Sequence, residues 1–324
     1  MEEVIIVGAG PCGLSAAAEL KKRNIDPLII EKGCVVNSIY NYPTFMQFFS
    51  TPELLEIGEV PFVITGDKPT RQEALVYYRT VAQRKKLRIH TYEAVQSVYR
   101  QGELFRVETT DRSGRTKRYQ AKFVIIATGY FDNPNVLDAA GAELPKVIGQ
   151  YKDAHPYSGT KVAVVGGNNS AVDAAMDLEK AGADVTVIYR GNGYSPKIKP
   201  WVLPLFESLV NKGRIKMHAQ TVIEEIREDS ILINTKGERQ ELENDYVFTL
   251  IGYRPDHRML KQIGVGVRED TGAPVFDEAT YETNLHNLFI AGVIAAGKDA
   301  NSIFIENGKL HGAVIAEEIV SRAT

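Results

Sequence analysis

The chain has 324 residues, 44% of them hydrophobic and 24% charged, with a net charge of −3. That describes a globular protein of about two domains, each long enough to bury its own core. It excludes a basic field for nucleic acid or anionic membrane, and two cysteines, Cys12 and Cys34, exclude a disulfide framework or a cysteine-rich metal site. No apolar run approaches the roughly 18 residues of a membrane span. The first strand begins by Val4, which leaves no room for a leader before it, so a reducing cytoplasm is the expected compartment.

The first element is the apolar run Val4–Val7, read as a buried parallel strand. Gly8-Ala9-Gly10-Pro11-Cys12-Gly13 follows, a full G-x-G-x-x-G, and then a helix with apolar spacing at Leu14, Ala17 and Ala18. Gly8 suits the tight turn, Gly10 lets backbone approach a pyrophosphate, and Gly13 lets helix pack on strand. The helix start, with Pro11 at its first position, offers free N–H groups to phosphate. The next strand ends at Glu31, about 20 residues on, where a carboxylate can take a ribose diol. Lys32 follows it. This unit therefore predicts an FAD site of Gly8, Gly10, Pro11, Gly13, Glu31 and Lys32. Asn41-Tyr42-Pro43 reads either as a flavin-facing segment, since Tyr can stack on a flat ring, or as a turn packing on the core. Residues 85–120 alternate, with turns at Gly102 and Ser113-Gly114, and predict a small antiparallel meander. Val95 within it joins the expected FAD residues. The run Phe123–Tyr130 reads as a buried strand ending in Ala127, Thr128 and Gly129, also on the FAD side.

Residues 162–189 repeat residues 4–31 without a gap, 158 positions later. The second βαβ unit has the turn Gly166-Gly167-Asn168-Asn169-Ser170-Ala171. Asn168 stands where the middle glycine was, and Asn tolerates positive φ better than most residues. At the strand end Tyr189 replaces Glu31 and Arg190 replaces Lys32. Loss of the acid and gain of a guanidinium favour a 2′-phosphate, so this copy predicts NADPH. The expected NADPH residues are Gly166, Asn168, Asn169, Ser170, Ala171, Tyr189, Arg190 and Gly252. Lys197 and Lys199 read first as solvated loop lysines. His155 reads as a structural histidine and Trp201 as ordinary packing. Tyr246–Tyr253 echoes Phe123–Tyr130, and both precede a proline (Pro255; Pro134). These mark the crossings between domains. The expected fold is α/β, two Rossmann-like three-layer domains: an FAD domain of 1–132 and 248–324, with an NADPH domain of 133–247 inserted in it. Leu288–Gly292 is one more strand, and Asn301-Ser302 caps a helix running to about Ser321. Gly292 and Ile303 complete the FAD list, Ile303 because a helix opening there would aim N–H groups at the flavin.

Together the first Gly-rich turn with Glu31, the Ala127-Thr128-Gly129 strand end, the inserted second unit and Ala291-Gly292 resemble the low-molecular-weight thioredoxin reductases over essentially the whole chain. Their Cys-x-x-Cys is missing: residues 149–157 read GQYKDAHPY, which excludes a dithiol relay to thioredoxin. Val293 stands where such flavoproteins carry an Asp that holds the ribityl chain. Within the group the chain is most similar to the bacilliredoxin reductases, or bacillithiol-disulfide reductases (the YpdA family). The strings that carry this are Gly10–Leu14, Val36–Pro43, Tyr189–Asn192, Ile198–Trp201 and Ile303–Gly308. The resemblance implies FAD and NADPH as cofactors, oxidised bacilliredoxin or a low-molecular-weight thiol disulfide as partner, and a homo-oligomer, dimer or tetramer.

Cys12 has two readings. From the residues alone it is a small apolar filler in the phosphate turn, and buried cysteines are usually inert. The resemblance implies instead that it is the family's essential cysteine, forming a mixed disulfide. A helix N-terminus lowers a thiol pKa and a nearby pyrophosphate raises it, so the sequence leaves the sign open. Cys34 reads as structural. Two other activities compete on this scaffold: a ferredoxin- or flavodoxin-NADP reductase, which needs no thiol, and a flavin monooxygenase. The monooxygenase motif F-x-G-x-x-x-H is not met, since five residues separate Gly149 and His155 and Phe is absent. A non-enzymatic NADPH sensor is the remaining class.

Overall fold

The computed structural model describes residues 1–323. The chain divides into two compact units: Met1–Asn133 with the segment from Arg254 onward, and Pro134–Tyr253. The first unit opens with β1 (Glu2–Val7), β2 (Leu28–Ile30), β3 (Arg88–His90), β4 (Glu93–Gln101), β5 (Leu104–Asp111) and β6 (Thr116–Ile126). The second contains β7 (Val147–Ile148), β8 (Lys161–Val165), β9 (Asp184–Tyr189), β10 (Ile215–Ala219), β11 (Thr221–Ile226), β12 (Ser230–Thr235), β13 (Glu238–Glu243) and β14 (Tyr246–Thr249). The chain then re-enters the first unit for β15 (Leu288–Ile290).

In the first unit the strand order is β3-β2-β1-β6-β5-β4, with β15 also on β6. The long β6 serves two layers. Its outer half pairs antiparallel with β5 from Thr116 to Ala121, which builds the meander, and the turns fall at Gly102 and Gly114, both at positive φ. Its inner half, Phe123–Ile126, is buried and runs parallel to β1 on one side and β15 on the other. A run apolar on both faces has this destiny: only a sheet covered on both sides removes all of it from water. The second unit repeats the plan in the parallel order β10-β9-β8-β14-β7, with β11-β12-β13 as a separate antiparallel sheet.

The helices after the two Gly-rich turns, Pro11–Lys22 and Asn169–Lys180, begin and end at the same 158-residue offset as the sequence repeat. Gly8 has φ +108 and Gly166 φ +140, and a Cβ on either would stand 2.5 Å from the carbonyl oxygen of Ala127 or Leu250. Those two carbonyls follow β6 and β14, so the echo between Phe123–Tyr130 and Tyr246–Tyr253 has a mechanical basis: each lets a turn glycine approach. The strands end at Ile126 and Thr249, and Gly129 and Gly252 lie in loops at positive φ.

Three expectations fail. The second crossing between units falls after Tyr253 rather than at 248, because β14 pairs within the second unit's sheet. Asn168 has φ −97 with ψ −175, an extended backbone, so it needs no tolerance of positive φ; that demand falls on Gly166. Nor does a helix start at Asn301-Ser302. Asn307 accepts the Phe304 N–H at 2.8 Å and donates to Ser302 O at 2.8 Å, which closes a turn first. A single helical turn follows, Ile305–Gly308, and then the helix His311–Ala323. That helix crosses Pro11–Lys22 at Gly312, where a Cβ would lie 2.6 Å from Ala16 backbone. Ser15 Oγ donates to Lys309 O at 2.8 Å beside the crossing.

Candidate nucleotide and redox site

The first turn is open where a phosphate needs it. Gly10 has an extended backbone (φ −73), and a Cβ there would meet nothing within 4 Å. Gly13 is the opposite case: its Cβ would stand 2.1 Å from Gly8 O. Gly10 thus keeps space for a ligand and Gly13 keeps the helix on the strand. Pro11 starts the helix without needing a hydrogen-bond partner for its nitrogen.

Glu31 is buried at the end of β2, with Ala9 N–H donating to Oε2 and Gly33 N–H to Oε1, each at 2.8 Å. Burial raises its pKa against the lowering effect of the two amides. Each oxygen retains a second lone pair, so the carboxylate that fixes the loop can still accept a ribose diol. Lys32 pairs with Asp132 at 2.7 Å, three residues beyond Gly129, whose positive-φ loop has no neighbour within 4 Å of a Cβ. Thr128 is exposed beside it and Ala127 is buried. The segment after β2 folds onto this loop: the Tyr42 ring lies edge-on to Phe131 at 4.7 Å and tilted against Phe48 at 6.2 Å. The Tyr42 ring thus packs on both, and Asn41 ends the short helix Asn37–Tyr40. Val95 is partly buried against the cluster that holds Val7, Ile30 and Ile126. Open glycines at 10 and 129, a helix start and a buried acceptor at Glu31 form a cradle that fits FAD. Ile303 does not take its expected place: it precedes the helical turn and packs in the apolar cluster, and one four-residue turn is too short to supply the dipole proposed for it.

Cys12 lies between two glycines of the C-terminal segment. A Cβ on Gly292 (φ +80) would be 2.7 Å from its sulfur, and one on Gly308 would be 3.1 Å away. Both cysteines are free thiols. Burial pushes the Cys12 thiol up to about 12 and also raises Cys34, whose Sγ reaches Asn37 Oδ1 at 3.7 Å. Desolvation thus pushes Cys12 towards the protonated thiol.

Sequence reasoning missed two histidines here. Gly292 N–H donates to His311 Nδ1 at 3.1 Å, and His311 stacks on Tyr281 at 3.9 Å. His257 Nε2 meets Ile294 O at 3.1 Å. Isolated histidines with no motif around them gave no signal. Burial lowers the pKa of both, that of His311 to about 4. A histidine held neutral this way binds fewer protons folded than unfolded. Its stabilisation is complete above pH ~6.5 and is lost as pH falls towards ~4. Urea unfolding at pH 5 should give a stability about 2 kcal/mol below that at pH 7.5 from His311 alone. His311→Gln should flatten that part of the profile.

The second turn is tied to the loop behind it. Ser195 Oγ donates to Asn168 Oδ1 at 2.7 Å; Asn169 donates to Lys197 O at 3.0 Å and accepts the Lys199 N–H at 2.8 Å. These bonds bring Asn168, Asn169 and the basic loop together. Ser170 is exposed at the helix start, Ala171 is buried under it, and Gly252 accepts the Asn135 N–H at 2.9 Å. The Tyr189 ring spans Gly167 and Gly191, where a Cβ would fall 2.3 and 2.4 Å from its atoms. Arg190 is exposed at the end of β9 and forms no ion pair among the described residues. Lys199 is spoken for, by Asp173 at 3.2 Å, while Lys197 is exposed. His155 is exposed on a 3₁₀ turn, its N–H donating to Asp153. Trp201 is 55% exposed, contrary to a packing role. No group of three or more potential metal ligands and no helix able to cross a membrane occurs among the described residues.

Residues 5–292 match the family model described as pyridine nucleotide-disulphide oxidoreductase. The chain is 52% identical to the bacilliredoxin reductase Bdr of Bacillus subtilis (strain 168), over 99% of this chain and 98% of that protein. It is 53% identical to the solved bacillithiol disulfide reductase Bdr (YpdA) from Bacillus cereus, with a TM-score of 0.96 and 99% of both chains covered. A ferredoxin–NADP reductase of Ignicoccus hospitalis is 29% identical over 91% of this chain and 90% of its own.

Proposed function

The chain belongs to the pyridine nucleotide-disulphide oxidoreductases, and from that premise we propose that it uses NADPH to reduce an oxidised bacilliredoxin or bacillithiol disulfide. The observation that carries this is full-length likeness, at 52% and 53% identity, to two disulfide reductases, against 29% to a ferredoxin–NADP reductase. The cofactors are FAD and NADPH. Bound FAD would supply two-electron transfer between NADPH and the disulfide.

The residues divide the work. The first turn would hold the FAD pyrophosphate: Gly10 leaves the space, and the helix start after Pro11 would offer it free N–H groups. Glu31 orders the loop through Ala9 and Gly33 and accepts the ribose hydroxyls. Gly129 gives backbone access after β6, whereas Gly292 after β15 is small because Cys12 packs on it. On the second turn, Asn168 and Asn169 hold the loop 195–199 in place, and Arg190 takes the 2′-phosphate that a carboxylate in place of Tyr189 would repel. Cys12, raised in pKa by burial, would give up its proton and attack one sulfur of the substrate disulfide, releasing the other half as a thiolate that takes up the proton; the two electrons supplied through bound FAD would then cleave the mixed disulfide, returning Cys12 and the second thiol. We place the enzyme in the cytoplasm as a homo-oligomer, dimer or tetramer, on the family resemblance.

Cys12→Ala tests the thiol role. The variant should retain FAD and its bleaching by NADPH, because alanine fits the same gap. Disulfide turnover should drop by at least about a hundredfold, as for loss of a nucleophile. Full turnover in this variant would assign Cys12 to packing alone.

A further inference from the structure

The turn Gly292–Ala295 has an unusual support. Val293 gives it no side-chain acceptor, so only its backbone can face a bound flavin chain. That backbone is held at two points by imidazoles, each in a different role. His311 Nδ1 accepts the Gly292 N–H at 3.1 Å, which requires an unprotonated Nδ1 and the proton on Nε2. His257 donates from Nε2 to Ile294 O at 3.1 Å. Tyr281 stacks on the His311 ring at 3.9 Å and 15°, fixing its plane. The anchored glycine is also the one pressed against Cys12 Sγ, with no room for a Cβ between them.

We propose that His311 is a positioning residue of the redox site: through the Gly292 N–H it seats the turn Gly292–Ala295 against Cys12 and so fixes both the thiol's surroundings and the backbone offered to the flavin. The burial that keeps His311 neutral serves this role, since protonated Nδ1 would set one N–H against another. His311 touches neither cofactor nor substrate in this scheme. The inference rests on the FAD reading above.

Three measurements test it. In the native protein, nitrogen NMR of labelled histidine should show His311 as the Nε2–H tautomer, with slow exchange of the Gly292 amide. An Nδ1–H tautomer, or a Gly292 amide exchanging like an exposed loop, overturns the proposal without any variant. His311→Phe keeps the ring on Tyr281 and removes the acceptor. It should raise the iodoacetamide labelling rate of Cys12 in FAD-free protein by about tenfold and the Kd for FAD by a similar factor, the scale of one unpaired buried amide. His311→Gln restores an acceptor and should bring both values within about threefold of native. Native values in His311→Phe, or equal damage in His311→Gln, overturn it. The labelling and the NMR need no cofactor, so a wrong FAD reading shows separately, as native protein that binds no FAD.

Discussion

Replacing Arg190 by alanine is expected to lower kcat/KM for NADPH by about a hundredfold while leaving the value for NADH within about threefold. Two aligned strand ends differ in charge. Glu31 closes β2 and is buried with two amides on its carboxylate, which suits a ribose with free hydroxyls. At the matching position of β9 stands Tyr189, laid over Gly167 and Gly191, and it holds no negative charge near a 2′-phosphate. Arg190 follows, exposed and without an acidic partner among the described residues. Charge-assisted hydrogen bonds to a phosphate contribute about 1.5–3 kcal/mol each, and two in a fork account for the hundredfold. Lys199 adds little, being paired with Asp173, whereas Lys197→Ala should cost a few-fold at most. Initial rates with both nucleotides give the answer. An enzyme that prefers NADH, and keeps that preference without Arg190, contradicts the assignment.

The second large effect separates two glycines of one motif. Gly13→Val should unseat the first helix, because its Cβ would lie 2.1 Å from Gly8 O and 3.4 Å from Ala127 Cβ. Backbone cannot yield there without moving helix from strand. Overpacking of that kind costs about 3 kcal/mol or more, which for a domain of this size is a Tm lower by roughly 10 °C. Gly10→Val meets no protein atom and fits an extended backbone. The FAD-free protein should keep its Tm within about 2 °C while FAD binding is lost, since the branched side chain fills the space left for the pyrophosphate. Thermal melts with and without FAD distinguish the two. A Gly10→Val protein that binds FAD normally would remove this turn from the cofactor site.

The parts of the molecule legible in sequence are those set by local constraint. Each Gly-rich turn has one glycine at positive φ, one helix start and one apolar strand on either side, and all of these leave marks in neighbouring residues. The repeat made them readable twice. What escaped depends on contacts across long stretches of chain. His311 meets Gly292 only because the last helix crosses the first at Gly312 and Ala16, and no spacing near residue 311 announces it. The same crossing puts Gly292 and Gly308 around Cys12, so the thiol's raised pKa belongs to segments some 280 to 300 residues away. Asn168 was misread for a related reason. Aligning it with Gly10 suggested a shared backbone demand, but Gly10 is itself extended, and no neighbour stands within 4 Å of a Cβ there. Asn307 stopped a helix that the Asn301-Ser302 pair suggested, because its side chain closes a turn on Phe304 and Ser302 before the helix can begin.

The electrons are expected to leave to a disulfide. NADPH consumption measured side by side with oxidised bacilliredoxin, bacillithiol disulfide and oxidised ferredoxin, under anaerobic conditions, addresses this most directly. Sustained turnover is expected with one or both of the first two, and only background with ferredoxin. Faster turnover with ferredoxin than with either disulfide, or consumption that needs oxygen and ignores all three, would contradict it.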